Sequence, residues 1–376
     1  GGRVVKVAIF GAGYVGLVTG VCLSAIGHDV TVIDVSAERV SAINAGKSPI
    51  YEIGLDALLT ETLGSGRFRA TLDAKAALEA AELSMIAVGT PQDDGKIDLS
   101  YVHAVTKTIG EHLKTRATRH TVVVKSTVVP GTTGGFVRQM LEKESGKVAG
   151  KDFGLCMNPE FLREGTAVRD FLEPSRVVIG CDDTAVAVRV SELYRDVQAP
   201  ILVTDPASAE MIKYASNAFL ATKISFINAI ANLCEAVNAD VREVALGMGY
   251  DPRIGFEFLH PGPGYGGSCF PKDTAALLHT AAGAGYDFSL LRGVVDVNQH
   301  QHERIIEKLR DAAGGSLRDV PVGVWGLTYR EEAATQYNDS PCPGTVSAGA
   351  TPAGLFRPST PVPKTANRSS NRLLAT

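Results

Sequence analysis

The apolar run "VVKVAIF" (Val4–Phe10) ends in "GAGYVG" (Gly11–Gly16), which opens into a helix-period segment, Val15–Ile26. Three glycines in that frame limit the possible folds more than any other feature of the chain. Gly11 permits a tight turn, Gly13 lets the backbone approach an anion, and Gly16 lets helix and strand pack closely. The free N–H groups and dipole of a helix N-terminus favour phosphates at that point. "DVTVID" (Asp29–Asp34) reads as the next strand and ends in a carboxylate, 18 residues after Gly16. A carboxylate there suits a ribose hydroxyl and repels a 2′-phosphate. The expected ligand is NAD, held by Gly11, Gly13, Tyr14, Val15, Gly16 and Asp34, with Arg39 nearby leaving NADP open.

The alternation continues. "LSMIAVG" (Leu83–Gly89) and "HTVVVKS" (His120–Ser126) read as strands, Leu99–Leu113 as a helix, and "FGLCMNPEF" and "SRVVIGC" as further strands. Strands alternating with helices predict an α/β fold, a doubly wound parallel sheet covered on both faces. From Pro206 to about Ala239 the pattern changes to one long helix with Ile212, Ala215, Phe219, Phe226, Ile230, Leu233 and Val237 on a face. Such a helix would run about 50 Å. It is longer than one small domain buries, and so predicts an interdomain spine and a homodimer interface. "VPVGVWGL" (Val320–Leu327) reads as the first strand of another α/β unit. Beyond it, Glu331–Thr376 holds six of the 18 prolines and few large apolar residues, so disorder is the expectation. The domain reading is 1–205 for dinucleotide binding, 206–315 for a central helical unit, 316–330 for the start of a third, and 331–376 for an atypical tail.

Charge sets few demands on partners. A formal net charge of -4 in 376 residues offers no basic surface for nucleic acid or membrane. The six cysteines show neither a C-x-x-C pair nor zinc-ligand spacing, so reduced thiols, no metal and a cytoplasmic location are expected. Lys6 and the glycines interrupt any leader-like apolar stretch, and no apolar run reaches membrane-spanning length.

The chemistry concentrates in a few stretches. In "PGPGYGGSCFPKD" (Pro261–Asp273) a glycine-rich loop leads to Cys269, and Pro271 marks the first turn of a helix. A thiol at a helix N-terminus beside Lys272 is expected to have a lowered pKa. Plain alcohol oxidation needs no thiol. Aldehyde oxidation does, because a thiohemiacetal can give up hydride to NAD and leave a thioester for water to hydrolyse. "NPEFLREG" puts Glu160 and Glu164 four apart; on one helical face in a cleft, one of them would have a raised pKa and could shuttle protons. "AEMIKYASN" sets Lys213 and Asn217 four apart, suited to an oxyanion. Thr90 in "VGTP" and Thr127 in "STVVPGT" end two strands and either face the cofactor or serve as turn hydroxyls.

Six stretches in this order, "GAGYVG", "VGTP", "STVVPGT", "NPEFLREG", "KYASN" and "GYGGSCFPKD", resemble the nucleotide-sugar 6-dehydrogenases, the UDP-glucose/GDP-mannose dehydrogenase family, over roughly residues 3–330. The resemblance implies oxidation of UDP-glucose to UDP-glucuronate with two NAD. Phe270 and the "FLREG" run favour that sugar over GDP-mannose or a UDP-N-acetylhexosamine. It also implies Cys269 as nucleophile, Lys213 and Asn217 as oxyanion pair, Asp273 as acid–base carboxylate, Glu160 as assistant in hydrolysis, and Thr127 as positioner of water. Glu164 and Lys272 match residues near the cofactor. Phe161, Leu162, Arg163, Glu164, Phe258, Leu259, His260, Pro261, Gly262 and Gly266 match residues around the sugar nucleotide, and Arg253 matches one reaching it across a dimer interface. Arg330 stands where the family has a lysine opening a UDP-binding domain. Past "NDSP" the match stops, so the tail is not expected to form that domain, and a catalytically silent NAD-binding protein is the competing reading.

Overall fold

The computed structural model describes residues 3–93 and 96–323. Arg330 and the tail 331–376 lie outside them, as does half of the run expected to begin a third α/β unit. The described part of that run, Val320–Gly323, forms no strand.

One eight-stranded sheet comprises β1 (Lys6–Phe10), β2 (Asp29–Ile33), β3 (Phe68–Thr71), β4 (Leu83–Ile86), β5 (Thr121–Val124), β6 (Gly154–Met157), β7 (Val177–Gly180) and β8 (Ile201–Thr204). Its order is β8-β7-β6-β5-β4-β1-β2-β3. The first six strands are parallel. β7 meets β6 antiparallel at a single pair, Met157 with Gly180, and β8 runs parallel to β7. The order reverses between β1 and β4, and the carboxyl edge at such a switch point is where open α/β sheets bind ligands.

Alternate side chains of β1 enter different cores because successive residues of a strand face opposite ways. Val7 and Ile9 pack with Leu17 and Val21 of α1 (Tyr14–Ala25). Ala8 and Phe10 pack with Val102 and Ile109 of α2 (Ser100–Thr115). Both faces are therefore covered, as the near-continuous apolar strands required.

The long helix α3 spans Pro206–Val237, 32 residues. Asp205 caps its start by accepting the Ser208 N–H at 2.9 Å, and proline fills the first turn, where its missing N–H costs nothing. Asn238 ends it in the left-handed conformation, φ 57°. Tyr214, Ala218 and Ala221 pack against α4 (Phe270–Gly283) and α5 (Ser289–Ala312) through Ala276, Leu277, Leu291 and Val294.

The sequence left open which face of α3 the protein itself covers, and the expectation that no apolar run reaches membrane-spanning length needs correcting for this helix. The face expected to be apolar is largely the exposed one: Phe219, Phe226, Leu233 and Val237 are 64%, 48%, 57% and 63% exposed. The buried face instead carries Lys213, Asn217 and Asn228 among small and aromatic residues. By length and composition alone α3 could also cross a membrane, although 33% of that stretch is buried within the protein.

Candidate active site

The glycine turn is built as its sequence requires. Gly11 has φ 101°, and a Cβ there would lie 2.6 Å from the Ala87 carbonyl oxygen. A Cβ on Gly16 would lie 1.8 Å from the Gly11 oxygen, whereas one on Gly13 would meet nothing within 4 Å. Open space thus faces the head of α1, where an anion's charge is favoured. Asp34 closes the other side, accepting N–H groups from Ala12 at 2.8 Å and Ser36 at 2.9 Å and pairing with Arg39 at 3.1 Å. Burial alone would raise its carboxyl, but these N–H groups and the guanidinium outweigh burial and hold it below the carboxylate range. Arg39 is engaged with Asp34 itself. A cradle open to a pyrophosphate beside an ionised carboxylate fits the adenosine end of NAD.

The side chains of Tyr14 and Val15, expected at the cofactor, are committed elsewhere. Val15 packs on the core. The Tyr14 hydroxyl donates to Glu52 and lies 2.9 Å from the Arg163 carbonyl oxygen, so burial and then Glu52 push the phenol pKa up. Glu52, missed in the sequence, is 5% exposed and also accepts the Gly165 and Ala167 N–H groups at 2.5 and 3.0 Å. It anchors the glycine turn to the "NPEFLREG" segment. From there Glu164 accepts a hydrogen bond from Ser268 at 2.9 Å, beside Cys269. A continuous set of contacts therefore joins the dinucleotide turn to the thiol.

Cys269 is the N-cap of α4 and is exposed. Although exposed as a residue, its sulfur is surrounded by enough protein that desolvation pushes the thiol pKa up, reinforced by Glu160 and Asp273 and only partly opposed by Ser268 and Lys213. The lowered thiol pKa expected from the sequence is thus overturned. Lys272 is turned away to Asp273, 2.7 Å from it, and the cation that acts on the sulfur is Lys213.

Glu160 and Glu164 do not share a helical face; residues 158–163 are irregular. Glu160 is buried and lies 2.9 Å from Lys213. Burial alone would raise its carboxyl, yet Lys213, the Leu162 N–H at 2.6 Å and Lys125 lower it, against the raised value expected. The same pairing outweighs burial at Lys213 and raises its ammonium. Asn217, one turn along α3, donates to the buried Asp273 at 2.6 Å. Two buried pairs from three distant stretches of chain thus stand around one sulfur.

Glu210 and Lys125 were not legible as site residues. Glu210, one turn before Lys213, is fully buried and accepts the Gly131 and Thr133 N–H groups at 2.5 and 2.7 Å, holding the π-helical turn Thr132–Val137 against α3. Lys125 is held by Asn158 at 3.1 Å and Tyr194 at 3.2 Å, and burial lowers its pKa to about 8. A charged residue ending the apolar run "TVVV" was the available signal, since such a group must find partners.

Thr90 donates to the Thr127 carbonyl oxygen at 2.9 Å, which ties two strand ends together. Phe161 lies under the Arg176 guanidinium at 3.6 Å. Leu162 packs on the core and Arg163 pairs with Asp170. In the glycine-rich loop Phe258 has φ 64°, Leu259 is buried and His260 is exposed. Pro261 and Gly266 are half-buried, and Gly262 is held by Asn228 at 2.8 Å and Gln301 at 2.7 Å. Phe270 packs edge-on to Tyr265 and Phe258. Arg253 sits apart from this cluster, 87% exposed and paired with Asp251.

The NAD binding domain of the UDP-glucose/GDP-mannose dehydrogenase family matches residues 5–198, and that family's central domain matches residues 207–300. A UDP-glucose 6-dehydrogenase of Rhizobium meliloti is 45% identical over 350 residues, 91% of this chain and 78% of that protein. A GDP-mannose 6-dehydrogenase of Pseudomonas savastanoi is also 45% identical, over 328 residues, 86% of this chain and 74% of that protein. The solved structure of a UDP-glucose dehydrogenase from Pyrobaculum islandicum superposes with a TM-score of 0.80 at 40% identity, covering 84% of this chain and 72% of that one. With both family domains matched in order across most of its length, the chain belongs to the UDP-glucose/GDP-mannose dehydrogenase family.

Proposed function

We propose that the protein oxidises the C6 hydroxyl of UDP-glucose to the carboxylate of UDP-glucuronate. The observation that carries this reading is Cys269, exposed as a residue, with the buried pairs Lys213–Glu160 and Asn217–Asp273 around its sulfur. The glycine turn and Asp34 would hold NAD, which when bound would supply the hydride acceptor for each of two oxidations. Cys269 attacks the C6 aldehyde as its proton passes to a neighbouring carboxylate, of which Asp273 is buried beside it. The Lys213 ammonium and Asn217 amide stabilise the oxygen that becomes negative. Glu160, kept ionised by Lys213, accepts a proton from the water that hydrolyses the thioester, and Thr127 helps place that water.

The exposed apolar face of α3 supports a homodimer, with Arg253 reaching the partner's sugar nucleotide. Purified protein with NAD and UDP-glucose is expected to yield two NADH per sugar, and Cys269→Ala at most one, because only the aldehyde oxidation needs the thiol. GDP-mannose is the alternative favoured by the equal identity to a GDP-mannose 6-dehydrogenase. Turnover of GDP-mannose alone would overturn the choice of sugar. NAD binding without NADH from either sugar would overturn the activity.

A further inference from the structure

The antiparallel pair Met157–Gly180 sets the flanking residues Cys156 and Cys181 directly opposite each other on β6 and at the end of β7. Facing Cα atoms in an antiparallel pair lie about 4.5–5.5 Å apart, within the span of a disulfide. Both thiols are free; Cys156 Sγ donates to the Met157 carbonyl oxygen at 3.3 Å and Cys181 Sγ to the Asp183 carbonyl oxygen at 3.4 Å. Their access to solvent differs. Cys156 is 0% exposed inside the sheet's core, while Cys181, 8% exposed, lies at the edge of that core and lines a cavity of about 680 Å³. That cavity opens at the sheet edge between the helix Thr184–Ser191 and β8, past Val188, Arg195 and Ile201.

We propose that Cys181 and Cys156 form an oxidisable cross-strand dithiol, Cys181 being the thiol that hydrogen peroxide meets and Cys156 the one that closes the disulfide. The Cys181 sulfur attacks the peroxide, forming an S–O bond as the O–O bond breaks and one oxygen leaves as water. The Cys156 sulfur then displaces the hydroxyl of the Cys181 sulfenic acid, and its own proton leaves with that oxygen as a second water. Two thiols lose two electrons and two protons, and the peroxide is reduced to two waters. The shifts run in the same sense as the register: the neighbouring Cys156 sulfur lowers the Cys181 pKa, while burial raises that of Cys156. The cross-link would fasten to β7 the strand that delivers Asn158 and, two residues later, Glu160.

The test uses the full chain with Cys269→Ser, so that the exposed thiol does not report. Treatment of the reduced protein with hydrogen peroxide is expected to make it two hydrogens lighter, with one cross-linked peptide joining residues 156 and 181. Dithiothreitol is expected to restore the mass. Adding Cys156→Ser is expected to stop the reaction at a dimedone-reactive sulfenic acid on Cys181. A chain that keeps both thiols under excess peroxide, or that cross-links other cysteines instead, overturns the proposal. Because the mapping needs no substitution at either sulfur, misfolding of the Cys156→Ser chain would not rescue it.

Discussion

Replacing Lys213 by methionine tests the buried pair at the centre of the site. The ammonium stands 2.9 Å from Glu160 in the folded protein, with side chains 5% and 8% exposed. At that separation and an effective dielectric of about 20, the gross attraction is about 6 kcal/mol. Most of this offsets the desolvation of two ions, so the net worth of the pair is small. Removing one partner is different, because it leaves Glu160 buried without its counter-ion, and such deletions cost about 3–5 kcal/mol. The Leu162 N–H and Lys125 still face Glu160, which puts the expected loss near the lower end.

The deficit should depend on pH with a definite sign. In the native protein Glu160 is held low and Lys213 high. A depressed carboxyl stabilises above its ordinary pKa and loses that contribution as pH falls through the folded value. A raised ammonium stabilises below its ordinary pKa and loses its contribution as pH rises through the folded value. In Lys213→Met the burial of Glu160 is answered only in part, its carboxyl rises, and the fold weakens as pH climbs past the ordinary carboxylate value of about 4.3. Urea unfolding followed by circular dichroism should show a larger deficit at neutral pH than near the carboxylate range. Lys213→Met with Glu160→Gln removes both charges and should recover stability to within about 1 kcal/mol of native. Turnover should stay down by about 10²–10³-fold in both, the usual cost of an oxyanion donor. A Lys213→Met protein that unfolds at the native midpoint at every pH would refute this account of the pair.

Three further expectations follow from the same geometry. Iodoacetamide should label Cys269 more slowly at pH 7 than a free cysteine, which is only a few per cent thiolate there, and the rate should climb about tenfold per pH unit beyond it; a plateau reached below pH 8 would contradict the raised thiol pKa. Gly16→Ala should destabilise the protein by about 1–3 kcal/mol, the usual cost of overpacking, and weaken NAD binding measured by calorimetry, since its Cβ would lie 1.8 Å from the Gly11 oxygen. Phe219→Glu with Phe226→Glu should sediment as a monomer where the native chain sediments as a dimer, and a native monomer would remove the interface assigned to α3.

What could be read in the sequence was whatever one local stretch decides. The turn at Gly11 and Gly16 follows from backbone sterics within a strand–helix unit, and the ends of α3 follow from Asp205–Pro206 and Asn238. The stretches bearing Glu160, Lys213, Asn217, Cys269 and Asp273 were each visible, but not which of their groups meet. Proximity in sequence misled the reading at Cys269, where Lys272 stands three residues away yet turns to Asp273, and the acting cation comes from α3. Glu52 and Glu210 carried no signal at all, because each is a lone carboxylate whose backbone N–H partners lie more than seventy residues distant.

Helix α3 shows why periodicity alone could not assign its faces. Large apolar side chains at helical spacing mark a surface that avoids water, but not what covers it. Among the described residues, the interior of the protein takes the other face, where Lys213, Asn217 and Asn228 are buried because each has a partner. Polar groups can be buried so only where those partners are fixed in advance, as the pairs with Glu160 and Asp273 are. Phe219, Phe226, Leu233 and Val237 make no such geometric demand and can be covered by any complementary apolar surface. A helix with one face specified by charge pairing and the other left apolar and exposed therefore builds the site on its first face. The second face is the one the proposed homodimer would cover, and the same rod that sets Lys213 against Glu160 would then fix one site relative to the other.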